Sequence, residues 1–252
     1  MSNEPRRYIV SPPYNERIVR GDVGAVSVED VTSISPIRRF GHNGNVGATY
    51  ETVWCDSSLY VYMSTASKLL VTSSSAQDAA AGTGTRTLQL TGLDGDYAKI
   101  TEIITMTGAV AVTTTNKFLR LFTCKSITAG TGGINAGNIT VKDANDFLTL
   151  GYMEAGEGKT QNAIFTVPAD KTFIVTNMGI GEMAQKRSDF ALFVRPLNKS
   201  WYIAKLQIVK NQTFDEVFDM PLKFDEKTDI EIRAKASGGS GIVVADFSGY
   251  YY

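Results

Sequence analysis

The sequence predicts an all-β protein: two antiparallel β-sandwiches, the second jelly-roll-like, preceded by an extended N-terminal arm. Three observations predict it. Asp229-Ile230-Glu231-Ile232-Arg233-Ala234-Lys235-Ala236 alternates charged and apolar residues without a break, the period of a strand with one wet and one buried face. Short Val-, Ile- and Thr-rich runs recur between Gly- and Asp-containing turn clusters, the spacing of a sandwich or barrel. Stretches with helical period are few, and no alternation of helix and strand announces a parallel nucleotide-binding sheet.

The chain has 252 residues, enough for one large or two smaller β domains and for burying roughly 70–75% of its extended surface. Charge is balanced, with 25 Lys+Arg against 26 Asp+Glu, which argues against the whole-surface field of a nonspecific nucleic-acid binder. No apolar run reaches the roughly 18 residues of a membrane helix, and Met1-Ser2-Asn3-Glu4-Pro5 lacks the apolar core of a signal peptide. Neither nucleic acid nor membrane is therefore expected as a partner, and the expected place of synthesis is the cytoplasm. Cys55 and Cys124 lie far apart with no CxxC spacing, and read as buried, reduced thiols.

Residues 1–50 are the predicted arm. Four of the seven prolines (Pro5, Pro12, Pro13, Pro36) lie there, and they forbid a helix through most of it. Six arginines lie there too, while the first lysine is Lys68. Arginine without lysine suits planar, bidentate pairing with carboxylate or phosphate. The expected docking residues are Arg6, Arg7, Arg17, Arg20, Arg38 and Arg39, with Ile9, Val10, Ile18 and Val19 as apolar anchors. A solvated tail is the plain alternative.

Residues 51–154 form the first predicted sandwich. Its strands are Leu59–Met63, Lys68–Ser73, Thr85–Thr91, Ala98–Met106, Ala109–Thr114, Phe118–Thr123, Asn138–Lys142 and Phe147–Tyr152, separated by turns such as Gly92-Leu93-Asp94-Gly95-Asp96. Ala155-Gly156-Glu157-Gly158-Lys159 reads as a linker. Residues 155–252 form the second sandwich, with strands at Ala163–Pro168, Thr172–Met178, Asp189–Arg195, Trp201–Val209 and Asp215–Met220. Within Trp201–Val209, Tyr202, Ala204, Leu206 and Ile208 alternate with Lys205 and Gln207, one face in and one out. The glycine-rich Ser237–Gly241 segment joins the charged strand to the apolar run Ile242–Phe247, which reads as a closing β-hairpin.

Candidate chemistry is sparse. Gly156-Glu157-Gly158-Lys159-Thr160 ends like a phosphate loop, but Met153 stands where the first glycine belongs and no helix follows. His42, the only histidine, sits in Gly41-His42-Asn43-Gly44-Asn45 and reads as a loop residue. Asp94 and Asp96 read as turn caps rather than as a cation site with Asp78. No cofactor and no metal is expected. Asp215, Glu216, Asp219, Asp225, Glu226, Asp229 and Glu231 form an acidic run that reads as a solvated face or as the counterpart of a neighbour's arginine arm. Tyr250, Tyr251 and Tyr252 have the composition of an interface or of a plain strand end.

Several of these segments together resemble a virion structural protein of tailed bacteriophages, of a kind found in phages of marine bacteria. They are Arg39-Phe40-Gly41 with Trp54, Val71–Ser75 leading to Asp78, Gly82–Thr87 ahead of Gly92-Leu93-Asp94, Asn116–Arg120, Ala129–Thr140, Thr166–Thr172 and Lys227–Glu231. The likeness covers most of residues 38–252, and the arm before it matches no family. It implies assembly on a particle without catalysis: a capsid decoration or cementing subunit, or a head or tail appendage. The implied partners are further copies of the chain, a trimer being one form, and virion proteins such as the major capsid protein. The rival expectation is a receptor- or glycan-binding module, because sandwich loops rich in Asn, Asp and aromatics also hold sugars. An enzyme is the least favoured class, although folding could bring two carboxylates together in one cleft.

Overall fold

The computed structural model describes residues 34–238 and 240–252. Among these there are strands and turns but no helix. The first nine strands are β1 (Ser35–Val46), β2 (Glu51–Thr52), β3 (Leu69–Ser73), β4 (Thr85–Leu93), β5 (Lys99–Thr105), β6 (Val112–Thr113), β7 (Arg120–Ala129), β8 (Ile139–Asp143) and β9 (Thr149–Met153). The remaining seven are β10 (Ile164–Thr166), β11 (Phe173–Glu182), β12 (Arg187–Arg195), β13 (Tyr202–Lys210), β14 (Thr213–Phe224), β15 (Asp229–Ser237) and β16 (Gly241–Tyr251). Every pairing between them is antiparallel, so the predicted fold class holds.

Eight of the strands pair as nested partners: β1 with β16, β10 with β15, β11 with β14, and β12 with β13. That is one long antiparallel ribbon rolled up. Lateral pairing of β11 with β16 and of β12 with β15 then closes it into two sheets, β1-β16-β11-β14 and β10-β15-β12-β13. This is the jelly roll. Its core is the alternate face of each strand, with Phe173, Val175, Phe247 and Ala245 from one sheet meeting Phe165, Ile230, Ile232, Phe190 and Leu192 from the other, all buried. Each fully buried Phe, Leu or Ile contributes on the order of 1.5–3 kcal/mol.

Strands β2–β9 are inserted between the first and second strands of the roll. β2 pairs with β15 of the roll, and β3–β9 form a smaller sandwich, β6-β3-β8-β9 over β5-β4-β7, closed on Leu69, Val71, Leu88, Leu90, Phe118 and Val141. Asp78, fully buried, staples it. Its carboxylate accepts from Ser73 Oγ at 2.6 Å, and from the backbone N–H groups of Thr85 at 2.7 Å, Ala136 at 2.8 Å and Gly137 at 2.9 Å. Asp94 caps its turn as expected, taking the Asp96 and Ala98 N–H groups.

The structure corrects several readings. The arm does not run to residue 50: residues 35–46, His42 included, are strand β1, and the roll starts there rather than at residue 155. The glycine cluster that suggested a loop serves a close approach, since a Cβ on Gly41 would fall on the Val53 carbonyl oxygen and the Ala163 nitrogen. Strands β15 and β16 are not a hairpin. Both edges of β15 are taken by β10 and β12 and both edges of β16 by β1 and β11, so the Ser237–Gly241 connection crosses from one sheet to the other. Leu59–Met63 is not a strand, because its Tyr60 and Tyr62 rings fold in against Trp54 and Trp201 instead. The 155–159 segment is no free linker. Gly158 N–H donates to Asn135 Oδ1 at 2.9 Å, and the Gly156 N–H donates to the Asn135 carbonyl at 3.0 Å.

Candidate assembly surface

Strands β13 and β14 are the outer edges of the two sheets of the roll on the same side, joined by the turn at Asn211-Gln212. Edge strands keep one row of backbone N–H and C=O groups unpaired by the sheet, and proteins normally shield them with charge or cover. Here they carry large apolar side chains in the open: Tyr202, Ile203, Leu206 and Ile208 on β13, Phe214, Val217 and Met220 on β14. Val217 is 77% exposed and Met220 86%.

Tyr202, Leu206 and Ile208 were the face expected to be buried. The register against β12 sets Leu206 and Ile208 opposite Ala191 and Asp189, on the face away from the core residues Phe190 and Leu192. Tyr202 stands opposite Val194 on the other face and is exposed at the sheet edge. The register of β13 against β12 slips between Leu192 and Phe193, which pairs Leu192 with Lys205 and Phe193 with Ile203 and leaves Ala204 as the extra residue. Lys205 is swung across the open side, where its ammonium meets Glu216 of β14 at 2.7 Å and stands 5.8 Å from the Phe218 ring. The turn at the tip is held by the buried Glu182 carboxylate, which accepts from the N–H groups of Ala184 at 2.7 Å, Lys186 at 3.0 Å and Asn211 at 2.9 Å. The apolar edge is thus braced at its tip and across its width.

The charged face of β15 has the opposite fate. It was expected to be wet, yet Asp229 and Glu231 are buried beneath the inserted sandwich. Arg120 of β7 reaches Asp229 Oδ1 at 2.9 Å, Arg195 reaches Oδ2 at 2.6 Å, and the Thr166 hydroxyl donates to Oδ1 at 2.6 Å. Tyr62 lies between the two guanidiniums, 5.0 Å from Arg120 and 4.9 Å from Arg195. Glu231 pairs with Arg233 and accepts the Thr52 hydroxyl at 2.7 Å. Burial nevertheless raises its carboxyl above the ordinary range, against the pull of Arg233. This cluster joins the two sandwiches.

Of the arm residues, Arg6, Arg7, Ile9, Val10, Arg17, Ile18, Val19 and Arg20 lie outside the described residues. Arg38 is 75% exposed and pairs with Asp246 at 3.1 Å, while its neighbour Arg39 points inward and is buried. Alternation along β1 separates them, so they do not form one basic patch. At the C-terminal end, Tyr251 is a core residue stacked on Phe165 at 6.2 Å, and Tyr250 and Tyr252 lie half-buried with their rings 6.5 Å apart. Of the acidic run, Asp215, Asp219 and Asp225 are exposed, whereas Asp229 and Glu231 belong to the buried junction. Among the described residues no group of three or more His, Cys, Asp or Glu side chains gathers as metal ligands would.

No protein-family model matches the chain, and no curated protein does. Among solved structures, that of the infectious bursal disease virus Gt strain aligns with 89% of this chain and 74% of that chain, at 9% identity and a TM-score of 0.19, which is too low to mark a shared fold.

Proposed function

We propose that the protein is a non-enzymatic structural subunit that self-associates through the β13–β14 edge. The observation that carries the reading is the row of exposed apolar side chains on two adjacent edge strands, Val217 and Met220 foremost. Such a surface suits a second copy of the same chain. It offers free backbone for strand addition, apolar area for burial, and charges of both signs, with Lys210 on β13 against Asp215 and Asp219 on β14, as a self-complementary contact requires. The setting we propose is a virus particle, with the chain as a capsid decoration or cementing subunit or a head or tail appendage. What supports this part is the rolled eight-strand topology, which is frequent in capsid proteins, together with the sequence resemblance. That support is fold-level analogy. Sedimentation equilibrium of the full chain tests the assembly, with the double variant Val217→Lys/Met220→Lys as control. The wild type should associate and the variant should sediment as a monomer with unchanged circular dichroism. A wild type that stays monomeric at every concentration would refute it.

A further inference from the structure

A cleft of about 180 Å³ opens between β1 and the 159–162 segment. At ~30 Å³ per water that is room for about six waters, or for one phosphate or carboxylate with part of its hydration. Its wall carries Arg39, only 8% exposed, whose guanidinium carbon stands 4.8 Å from the centre of the Phe122 ring and 5.4 Å from that of Phe165. Arg39 Nε is fully buried and makes no hydrogen bond among the described residues. Among the described residues no carboxylate pairs with Arg39, although Arg38 beside it has Asp246. Asn162, on the same cleft, also holds its amide nitrogen buried and unpaired. Lys159 completes the lining, next to Lys125 across an isolated β-bridge.

We infer that this cleft binds a small oxyanion, a carboxylate or a phosphate group, held by Arg39, Lys159 and the Asn162 amide. Two buried donors without acceptors would otherwise each carry an uncompensated desolvation cost, and a buried guanidinium is the costlier of the two. Aromatic faces offset part of that cost but accept no N–H in the guanidinium plane. The burial that pushes the Arg39 group down to about 10, and the depression of Lys159 by burial and by Arg39 and Lys125, describe a pocket with surplus positive charge. An entering anion relieves both.

The test is thermal unfolding and titration calorimetry of the full chain with sodium phosphate and with sodium acetate, each against sodium chloride at equal ionic strength. A rise in Tm in either oxyanion over chloride that is lost in Lys159→Met, together with saturable heat in the titration, supports the site, since phosphate also stabilises folded proteins by exclusion from their surface. A response to phosphate only identifies a phosphate site, a response to acetate only a carboxylate site, and a response to both a site that takes either oxyanion. Lys159→Met, at an exposed position, should keep the fold and weaken binding at least about tenfold. Arg39→Met should abolish binding, and if it fails to fold the lysine variant still decides. Equal Tm in chloride and both oxyanions, or unchanged affinity in Lys159→Met, would overturn the inference.

Discussion

The Arg120 guanidinium lies 2.9 Å from Asp229 Oδ1, both side chains buried, and this pair ties the inserted sandwich to the jelly roll. Asp229 has a second guanidinium in Arg195 and a hydroxyl donor in Thr166, so one carboxylate anchors residues from β7, β12 and β10.

Asp229→Asn should therefore cost about 3–5 kcal/mol, because it leaves a buried arginine without its counter-charge. Arg38→Ala, at the exposed pair with Asp246, should cost at most about 1 kcal/mol. Urea unfolding of the two variants checks the contrast, which vanishes if the junction is wetter than described.

Glu231 gives a pH signature. Burial raises its carboxyl pKa in the folded state, so the unfolded chain loses this proton first as pH rises. The contribution favours the native state in full below the ordinary glutamate range and is lost as pH climbs through the raised value. Glu231→Gln lacks that loss, so its stability relative to wild type should increase from pH 4 to pH 8. Urea melts at the two pH values read this difference directly.

Cys124 and Cys55 should be silent to thiol reagents in the native protein. Both are free and buried, and burial pushes each thiol up to about 12, first of all by desolvation. A disulfide-exchange reagent at pH 8 should label neither until denaturant is added. Stoichiometric labelling of the folded protein would contradict this.

Gly41→Ala should destabilise by about 1–3 kcal/mol or more, since the added methyl meets the backbone of Val53 and Ala163 rather than a movable side chain. Gly156→Ala makes a useful contrast, having free space around it and a φ of 82°. Its cost should come from the left-handed backbone alone and stay near 1 kcal/mol. Thermal melts of the two variants separate crowding from conformation.

Strand content and antiparallel class were legible because alternation and turn residues are local signals, and most predicted strands lie within a few residues of those in the structure. What local signals do not carry is which strand pairs with which. The charged face of Asp229–Lys235 reads as wet, since nothing near it in sequence shows that Arg120, more than a hundred residues earlier, comes to cover it. β1 was hidden by prolines and glycines that elsewhere mark an arm, although Gly41 serves close backbone approach. The apolar residues of β13 alternate as a buried face would, but the long-range register with β12 sets Leu206 and Ile208 opposite Ala191 and Asp189, away from the core, and the slip at Leu192 and Phe193 breaks the alternation before Tyr202. Nothing in Ile37-Arg38-Arg39-Phe40 marks which arginine turns inward, and the burial of Arg39 without a partner among the described residues is visible only in three dimensions.

Hydrogen exchange of the full chain, measured by mass spectrometry at concentrations below and above its association midpoint, tests the assembly surface most directly. The account predicts that association slows exchange in peptides covering residues 202–220 and leaves β15 and β16, already paired on both edges, unchanged. Protection gained elsewhere with none in 202–220 would contradict it.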